Sequence, residues 1–172
     1  MRMIIQSRLI VFLDYECGQQ LQEHQKCCRQ SGRNYRMSIK GIYDIHCHIV
    51  PGVDDGATDI GETVKLLRME YEQGVRTVIA TPHFRFRMFE TPAEKVREQF
   101  RLVEKAASEI SPDLHVYLGC EFHANMEMLP MLREQKVMTM AGSRYVLTEF
   151  SHNSEESYIR ERLGALLSGG YK

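Results

Sequence analysis

Two histidines lie two positions apart in the segment 44–56, which reads DIHCHIVPGVDDG. Because side chains alternate along a strand, His46 and His48 point to one side of the predicted strand and Cys47 to the other. Neutral imidazole nitrogens are common ligands of zinc, manganese and iron. A surface loop does not need two histidines on one face, so this spacing predicts a metal site.

Two aspartates follow in the same segment. Gly52 and Gly56 suit a tight loop, which would bring Asp54 and Asp55 back towards the histidines. Asp55 is the stronger candidate for a metal ligand, and Asp54 could instead orient the loop. Asp44 lies on the same face of the strand as the histidines. It could hold one histidine ring N–H or make a local hydrogen bond at the start of the strand.

Each of the three later predicted strands also ends near a histidine or a carboxylate. In chain order these residues are His83, Glu121 and Glu149. In α/β barrels the C-terminal ends of the strands meet at one mouth, so successive strands would deliver these groups to one cluster. Carboxylates can bridge two ions, which together bind and deprotonate a water. The metal-bound hydroxide is a nucleophile at neutral pH, so no protein nucleophile is required.

Alternating strand and helix patterns supply these positions. The predicted strands are 42–46, 75–81, 116–121 and 145–150, and the last predicted helix is 155–167. Thr58 or Asp59 can cap the first helix, which Gly74 ends. Thr91 and Glu94 match a capping box at the start of the second helix. This alternation predicts an α/β fold with a parallel sheet or a (β/α) barrel.

Further polar side chains lie close to the predicted cluster. Arg85 and Arg87 follow His83 directly and could clamp a phosphate or an acidic substrate tail. A solvated loop is the alternative for both arginines. His123 and His152 lie just past the last two carboxylates and could line the same pocket.

A cysteine-containing pattern occurs nearer the N-terminus. Cys27 and Arg33 match the Cys-x5-Arg spacing of cysteine-dependent phosphatases. That chemistry requires a thiolate between a buried strand and the N-terminus of a helix, where its pKa is lowered. The preceding segment 21–26, LQEHQK, is too polar for such a strand, so the cysteine mechanism is disfavoured.

The overall composition narrows the classes of partner. The 172 residues carry 22 basic and 23 acidic side chains, which gives no electrostatic case for nucleic acid or an anionic membrane. The five cysteines show no disulfide framework, so a cytoplasmic location is expected. The apolar run near the N-terminus is too short for membrane insertion. Residues 1–40 are predicted to be a flexible or weakly helical extension, and residues 41–172 a domain with a hydrophobic core.

Five motifs together resemble the PHP superfamily (polymerase and histidinol phosphatase). They are DIHCHIVPGVDDG, GVRTVIATPH, FETPAEK, LGCEF and SRYVLTEF, in this order over about residues 42–167. Within that superfamily they are most similar to the bacterial metal-dependent tyrosine phosphatases of capsular and exopolysaccharide operons. The combination is specific, whereas any one motif alone is weak.

The resemblance implies a distorted (β/α)7 barrel with up to three divalent ions at its mouth, usually manganese, with iron or zinc possible. The residues that match its metal ligands are His46, His48, Asp55, His83, Glu121 and Glu149. The superfamily also has a His-Pro-Glu-Arg-like segment and a late Asp-x-His pair, which this sequence lacks. Because such barrels need about 250 residues, the chain is expected to be truncated and to contain the first half to two-thirds of the barrel. The open sheet edge would favour a homo-oligomer.

The implied function is hydrolysis of phosphotyrosine on the tail of a bacterial tyrosine autokinase, which regulates capsular or extracellular polysaccharide synthesis. A histidinol-phosphate phosphatase, or another phosphoesterase of the superfamily, is the first alternative. A truncated chain that folds in part and is catalytically inactive is the second.

Overall fold

The computed structural model describes residues 10–11 and 41–172, so Cys27 and Arg33 lie outside the described residues. The described part is a mixed α/β structure with two small sheets. In chain order its elements are β1 (Ile10–Val11), β2 (Ile42–Cys47), α1 (Ile60–Glu72), β3 (Val75–Ala80), β4 (His83–Phe84), α2 (Ala93–Ile110), β5 (His115–Leu118), β6 (Glu121–His123), α3 (Met128–Arg133), a 3-10 turn (Met140–Gly142), β7 (Leu147–Glu149) and α4 (Glu156–Ser168). None of the helices within these ranges is long and apolar enough to cross a membrane.

The first sheet has the strand order β1-β2-β3-β5. Strands β2, β3 and β5 are parallel, while β1 pairs with β2 in the antiparallel direction. Helix α1 packs against β3, α2 packs against β5, and the two helices pack against each other. Leu67, Val78 and Val103 are buried in the core that these elements share. The parallel arrangement confirms the fold class predicted from the strand and helix alternation.

The second sheet has the order β4-β6-β7, and all its strands are parallel. The prediction of one continuous strand over 116–121 is wrong, because β5 ends at Leu118 and β6 begins at Glu121 in the other sheet. Gly119 packs tightly at this break, where an added Cβ would lie 3.0 Å from Met140 Sδ. Pro82, which has no N–H to donate, lies at the corresponding break between β3 and β4. The apolar run in the sequence does not reveal this change of sheet.

The two long helices begin in different ways. Asp59 caps α1 as predicted, because its side chain accepts the backbone N–H of Glu62. The predicted capping box at Thr91 is wrong, since α2 begins after Pro92 without a side-chain cap. The Thr91 hydroxyl instead donates to the Val53 carbonyl oxygen at 2.8 Å. A bond between distant segments has therefore replaced the local cap.

Candidate metal centre

The structure brings all six predicted ligands together, from β2 and the loop after it and from β4, β6 and β7. They form three overlapping groups, in each of which the possible ligand atoms lie within 4.8 Å of one another. The groups are His46–His48–Glu121, His48–Asp55–His83 and His83–Glu121–Glu149. The parallel register of the second sheet contributes directly, because it sets His83 opposite Glu121 and His123 opposite Glu149. Because neighbouring groups share residues, the centre is one continuous cluster rather than three separate sites.

Glu121 lies at the middle of this cluster. Its Oε2 atom is 3.0 Å from His46 Nε2, 3.2 Å from His48 Nε2 and 3.3 Å from His83 Nδ1. Burial alone would raise the pKa of Glu121, but the hydrogen bonds from His46 and His48 outweigh it and hold the pKa well below its usual range. The carboxylate is therefore ionised at neutral pH and available to a cation.

Asp54 holds His48 from the opposite side. The Asp54 side chain is fully buried, and its Oδ2 atom lies 2.9 Å from His48 Nδ1. The same carboxylate accepts the backbone N–H groups of His83 and Gly56, at 2.9 and 3.0 Å. Burial opposes ionisation here as well, yet the hydrogen bond from His48 and the backbone donors lower the pKa of Asp54. Asp54 therefore orients the imidazole so that Nε2 faces the cluster.

Asp44 makes the local hydrogen bond that was one of its two predicted roles. Its Oδ1 atom accepts the backbone N–H of His46 at 3.0 Å, which is a local hydrogen bond within β2. On the His48 ring, the Nδ1 atom is held by Asp54. The sequence signal for the role of Asp54 was its position next to Asp55 in one loop, because neighbouring side chains turn to different sides. Asp55 is exposed and reaches His83 Nε2 at 3.8 Å.

The loop depends on a close approach at Gly56. A Cβ on Gly56 would lie 2.2 Å from the His48 carbonyl oxygen and 2.4 Å from the His48 Cβ. The loop is closed by the Ala57 N–H, which donates to the same His48 oxygen at 2.9 Å. Gly52 has a φ of 66°, a conformation that favours glycine. Both glycines therefore have the tight-loop role that was predicted.

A short hairpin follows His83 and contains the two candidate arginines. Arg85 and Phe89 exchange backbone hydrogen bonds of 2.9 and 2.8 Å. The Phe89 ring stacks on His83 with a centroid distance of 5.2 Å and an angle of 10° between the ring planes. Sequence reasoning missed Phe89 because a phenylalanine in a loop carries no ligand signal. Within residues 41–172, Arg85 and Arg87 make no hydrogen bond or ion pair with the cluster.

The two further histidines lie outside the three groups. His123 Nε2 is 3.1 Å from Ser151 Oγ, so this imidazole has a partner at the edge of the cluster. His152 is exposed in the following loop. Pocket lining by His123 and His152 remains a prediction.

Two unsatisfied atoms indicate that the cluster suits a cation. His83 Nδ1 and Glu149 Oε2 are buried and have no hydrogen-bond partner among the described residues, although they lie only 3.9 Å apart. Native proteins rarely leave buried polar atoms unpaired unless a ligand or water completes the site. Imidazole nitrogens and carboxylate oxygens together fit a borderline or hard divalent ion. The residues therefore fit the metal that the sequence predicted.

Metal binding should release protons and should strengthen as the pH rises. Burial tends to lower the pKa of His48, but the carboxylates of Asp54 and Glu121 outweigh this effect and raise it to about 9. A metal ion must displace that proton, so affinity should increase by up to about tenfold per pH unit until about pH 9. Manganese titration calorimetry in two buffers of different ionisation enthalpy measures the released protons.

The stability of the metal-free chain, unlike its metal affinity, should decrease as the pH rises. Stability contributed by protonated His48 is fully present below pH 6.5 and is lost as the pH rises through about 9. The same pH dependence of stability should be seen in the control variant His115→Gln, because His115 is exposed on β5 and belongs to none of the three groups. Metal affinity that stays constant between pH 6.5 and about 9 would contradict this linkage.

Comparison with known proteins identifies a family and several similar sequences. Residues 42–172 match the family model described as capsular polysaccharide synthesis, CpsB/CapC. The tyrosine-protein phosphatase CpsB of Streptococcus pneumoniae is 41% identical over 129 residues, covering 75% of this chain and 53% of that protein. The tyrosine-protein phosphatase YwqE of Bacillus subtilis is 32% identical over 130 residues, covering 76% and 51%.

A solved structure is also similar. It comes from crystallographic work on YwqE from Bacillus subtilis and CpsB from Streptococcus pneumoniae, described as unique metal-dependent tyrosine phosphatases. The match has a TM-score of 0.68 and 32% sequence identity, covering 75% of this chain and 52% of the other. The chain spans about half the length of the curated relatives it matches. From the extent of the family match, this chain belongs to the CpsB/CapC family of capsular polysaccharide synthesis.

Proposed function

We propose that this chain provides a metal-dependent active site that hydrolyses phosphotyrosine in proteins. The observation that carries the proposal is the single cluster of imidazoles and carboxylates centred on Glu121. The names of the relatives support it, because CpsB and YwqE are tyrosine-protein phosphatases. These names favour phosphotyrosine hydrolysis over histidinol-phosphate hydrolysis. No feature of the described residues indicates histidinol phosphate as the substrate.

The proposed ligands are the six residues of the three groups. They are His46, His48, Asp55, His83, Glu121 and Glu149. Manganese is the proposed metal, with iron or zinc as substitutes, because the donor set mixes nitrogen with carboxylate oxygen. When bound, the ions would activate water and neutralise charge on the phosphoryl oxygens. Asp54 would keep the Nδ1 proton of His48 in place, so that Nε2 remains free to bind.

The described cysteines offer no rival nucleophile. Cys120 is buried beside Glu121, and this burial raises the pKa of its thiol far above the usual range. Cys47 is also a buried thiol, and its Sγ donates to the Ile79 carbonyl oxygen at 3.6 Å. A phosphatase thiol must be ionised and accessible to substrate, so neither cysteine meets the requirement. Reduced thiols are also consistent with the proposed cytoplasmic location.

The proposal extends to the substrate and to the fold. Arg85 and Arg87 would contact the phosphate or acidic residues near it. The protein substrate would be the phosphotyrosine tail of a bacterial tyrosine autokinase. The two sheets would be consecutive segments of a distorted (β/α)7 barrel, since their strands other than β1 are parallel and β4 and β6 follow closely after β3 and β5. Homo-oligomer formation is also proposed, because β7 has a neighbour on one side only among the described strands.

Phosphate release from a phosphotyrosine peptide tests the activity directly. The purified 172-residue chain is expected to release phosphate when manganese is present. Phosphate release should cease in excess chelator and resume when manganese is restored. Histidinol phosphate should be hydrolysed more slowly than the peptide. Metal binding without turnover would favour the inactive, truncated alternative. Activity that survives chelation and disappears in Cys27→Ser would overturn the metal mechanism.

A further inference from the structure

The hairpin at residues 85–89 presents an exposed tip beside the metal centre. Phe86 and Met88 at this tip are 57% and 60% exposed, which is high for side chains of this size. Arg87, between them, is also exposed and has a φ of 62°. This left-handed conformation is uncommon for a residue other than glycine and is often found at functional sites.

The base of the hairpin is fixed to the metal centre. The Phe89 ring stacks on His83, and the Arg85 N–H donates to the Phe89 carbonyl oxygen at 2.9 Å. Just after the hairpin, Thr91 Oγ1 donates to the Val53 carbonyl oxygen next to Asp54. A segment fixed on both sides holds its tip at a set position relative to the cluster.

The charges of the tip complement those of the cluster. Four carboxylates lie at or beside the centre; they are Asp54, Asp55, Glu121 and Glu149. Without compensation they would repel acidic residues next to a bound phosphate. Arg85 and Arg87 are cationic, and neither has an acidic partner in the described part of the chain. The guanidinium carbon of Arg87 lies 5.8 Å from the centroid of the Phe86 ring, so charge and apolar surface occur together.

We infer that this hairpin is a docking element for the acidic segment of a peptide that flanks its phosphotyrosine. The inference rests on the proposed function and adds the sequence preference of the site. Arg85 and Arg87 would pair with carboxylates of the peptide, while Phe86 and Met88 would cover its apolar atoms. The hairpin therefore determines substrate specificity and takes no part in the chemical step.

Three labelled peptides test the inference by fluorescence anisotropy with the manganese-loaded 172-residue chain at low ionic strength. One is an acidic peptide that carries a non-hydrolysable phosphonate analogue of phosphotyrosine, one carries the same analogue but has alanine in place of its acidic residues, and one is acidic but unphosphorylated. The double variant Arg85→Gln/Arg87→Gln should weaken binding of both acidic peptides by about three- to tenfold. Its affinity for the neutral phosphopeptide should change less than about twofold.

Two further variants separate the effect of the hairpin arginines from general surface charge and from the backbone conformation of the hairpin. Arg68→Gln/Arg101→Gln removes two exposed arginines from α1 and α2 and should leave all three affinities near those of the unaltered chain. Arg87→Gly keeps a residue that tolerates positive φ, so a loss of acidic-peptide binding in this variant reports the lost side chain.

The outcomes distinguish this inference from the proposed function. If the metal centre does not bind phosphotyrosine, the two acidic peptides will bind equally, but their dependence on the hairpin arginines will remain. Equal weakening by the hairpin and helix variants would show general charge attraction and overturn the inference. Unchanged binding of acidic peptides to Arg85→Gln/Arg87→Gln would overturn it as well.

Discussion

Replacing Glu121 by glutamine is expected to remove most of the metal affinity of the chain. Glu121 is the residue whose Oε2 atom lies within 3.3 Å of three imidazoles, and it belongs to two of the three candidate groups. Glutamine keeps the size of the side chain but loses its negative charge and one acceptor oxygen. Because even outer hydrogen-bond partners of metal ligands contribute about 10–100-fold in affinity, the loss of this shared carboxylate should exceed that range.

Manganese titration and metal content after gel filtration measure the effect of Glu121→Gln. The matched control is Glu98→Gln, because Glu98 is an exposed carboxylate on α2 that forms an ion pair with Lys95. Circular dichroism should show both variants folded, so that loss of metal can be separated from loss of structure. Glu121→Gln protein that retains the full metal content and affinity of the unaltered chain would show that the cluster is not a metal centre.

Phosphotyrosine turnover adds a second readout to the same variant. If Glu121→Gln still binds metal tightly but loses turnover, its carboxylate would be needed for the reaction more than for affinity. Glu149→Gln provides an informative comparison, because Glu149 belongs to one group only and is 3.9 Å from its closest imidazole. A smaller loss of affinity in Glu149→Gln than in Glu121→Gln would follow from these positions.

The ligand types could be predicted because strand periodicity and strand ends are visible in the sequence. His46 lies on β2 and His48 directly after it, on either side of buried Cys47. The later candidates lie just after β3 and β5 and at the end of β7. Parallel strands place their C-terminal ends at one edge, so each motif locates its side chain without knowledge of the whole fold. Asp59 and Gly74 also behave as local physics predicts, since capping depends on only a few neighbouring residues.

The remaining features depend on contacts between segments far apart in the sequence. Thr91 bonds to Val53 instead of capping α2, because the folded chain brings the loop of Val53 next to it. The change of sheet at Gly119 depends on packing against Met140. Phe89 becomes part of the centre only because the hairpin folds back over His83. Single-sequence patterns contain none of these pairings.

Replacing Asp54 by asparagine is expected to lower both metal affinity and stability, although Asp54 belongs to none of the three ligand groups. Its buried carboxylate accepts hydrogen bonds from His48 Nδ1 and from the backbone N–H groups of His83 and Gly56. An asparagine amide must turn its NH₂ group towards at least one of these donors. Losing a buried hydrogen bond to a charged group costs about 1.5–3 kcal/mol, and losing the support of a metal-ligating histidine costs about 10–100-fold in metal affinity.

Urea unfolding of the metal-free chain and manganese titration of the folded chain measure the two effects of Asp54→Asn separately. Asp59→Asn is the matched control, because asparagine caps a helix about as well as aspartate and Asp59 is exposed. The pKa of Asp54 is lowered in the folded state, so its stabilisation is present above the unfolded value of about 4 and is lost as the pH falls through the folded value. The stability difference between the unaltered chain and Asp54→Asn should therefore shrink under acidic conditions. If Asp54→Asn matches Asp59→Asn in both stability and metal affinity, Asp54 does not position His48, and the hydrogen bonds of its carboxylate contribute nothing to the centre.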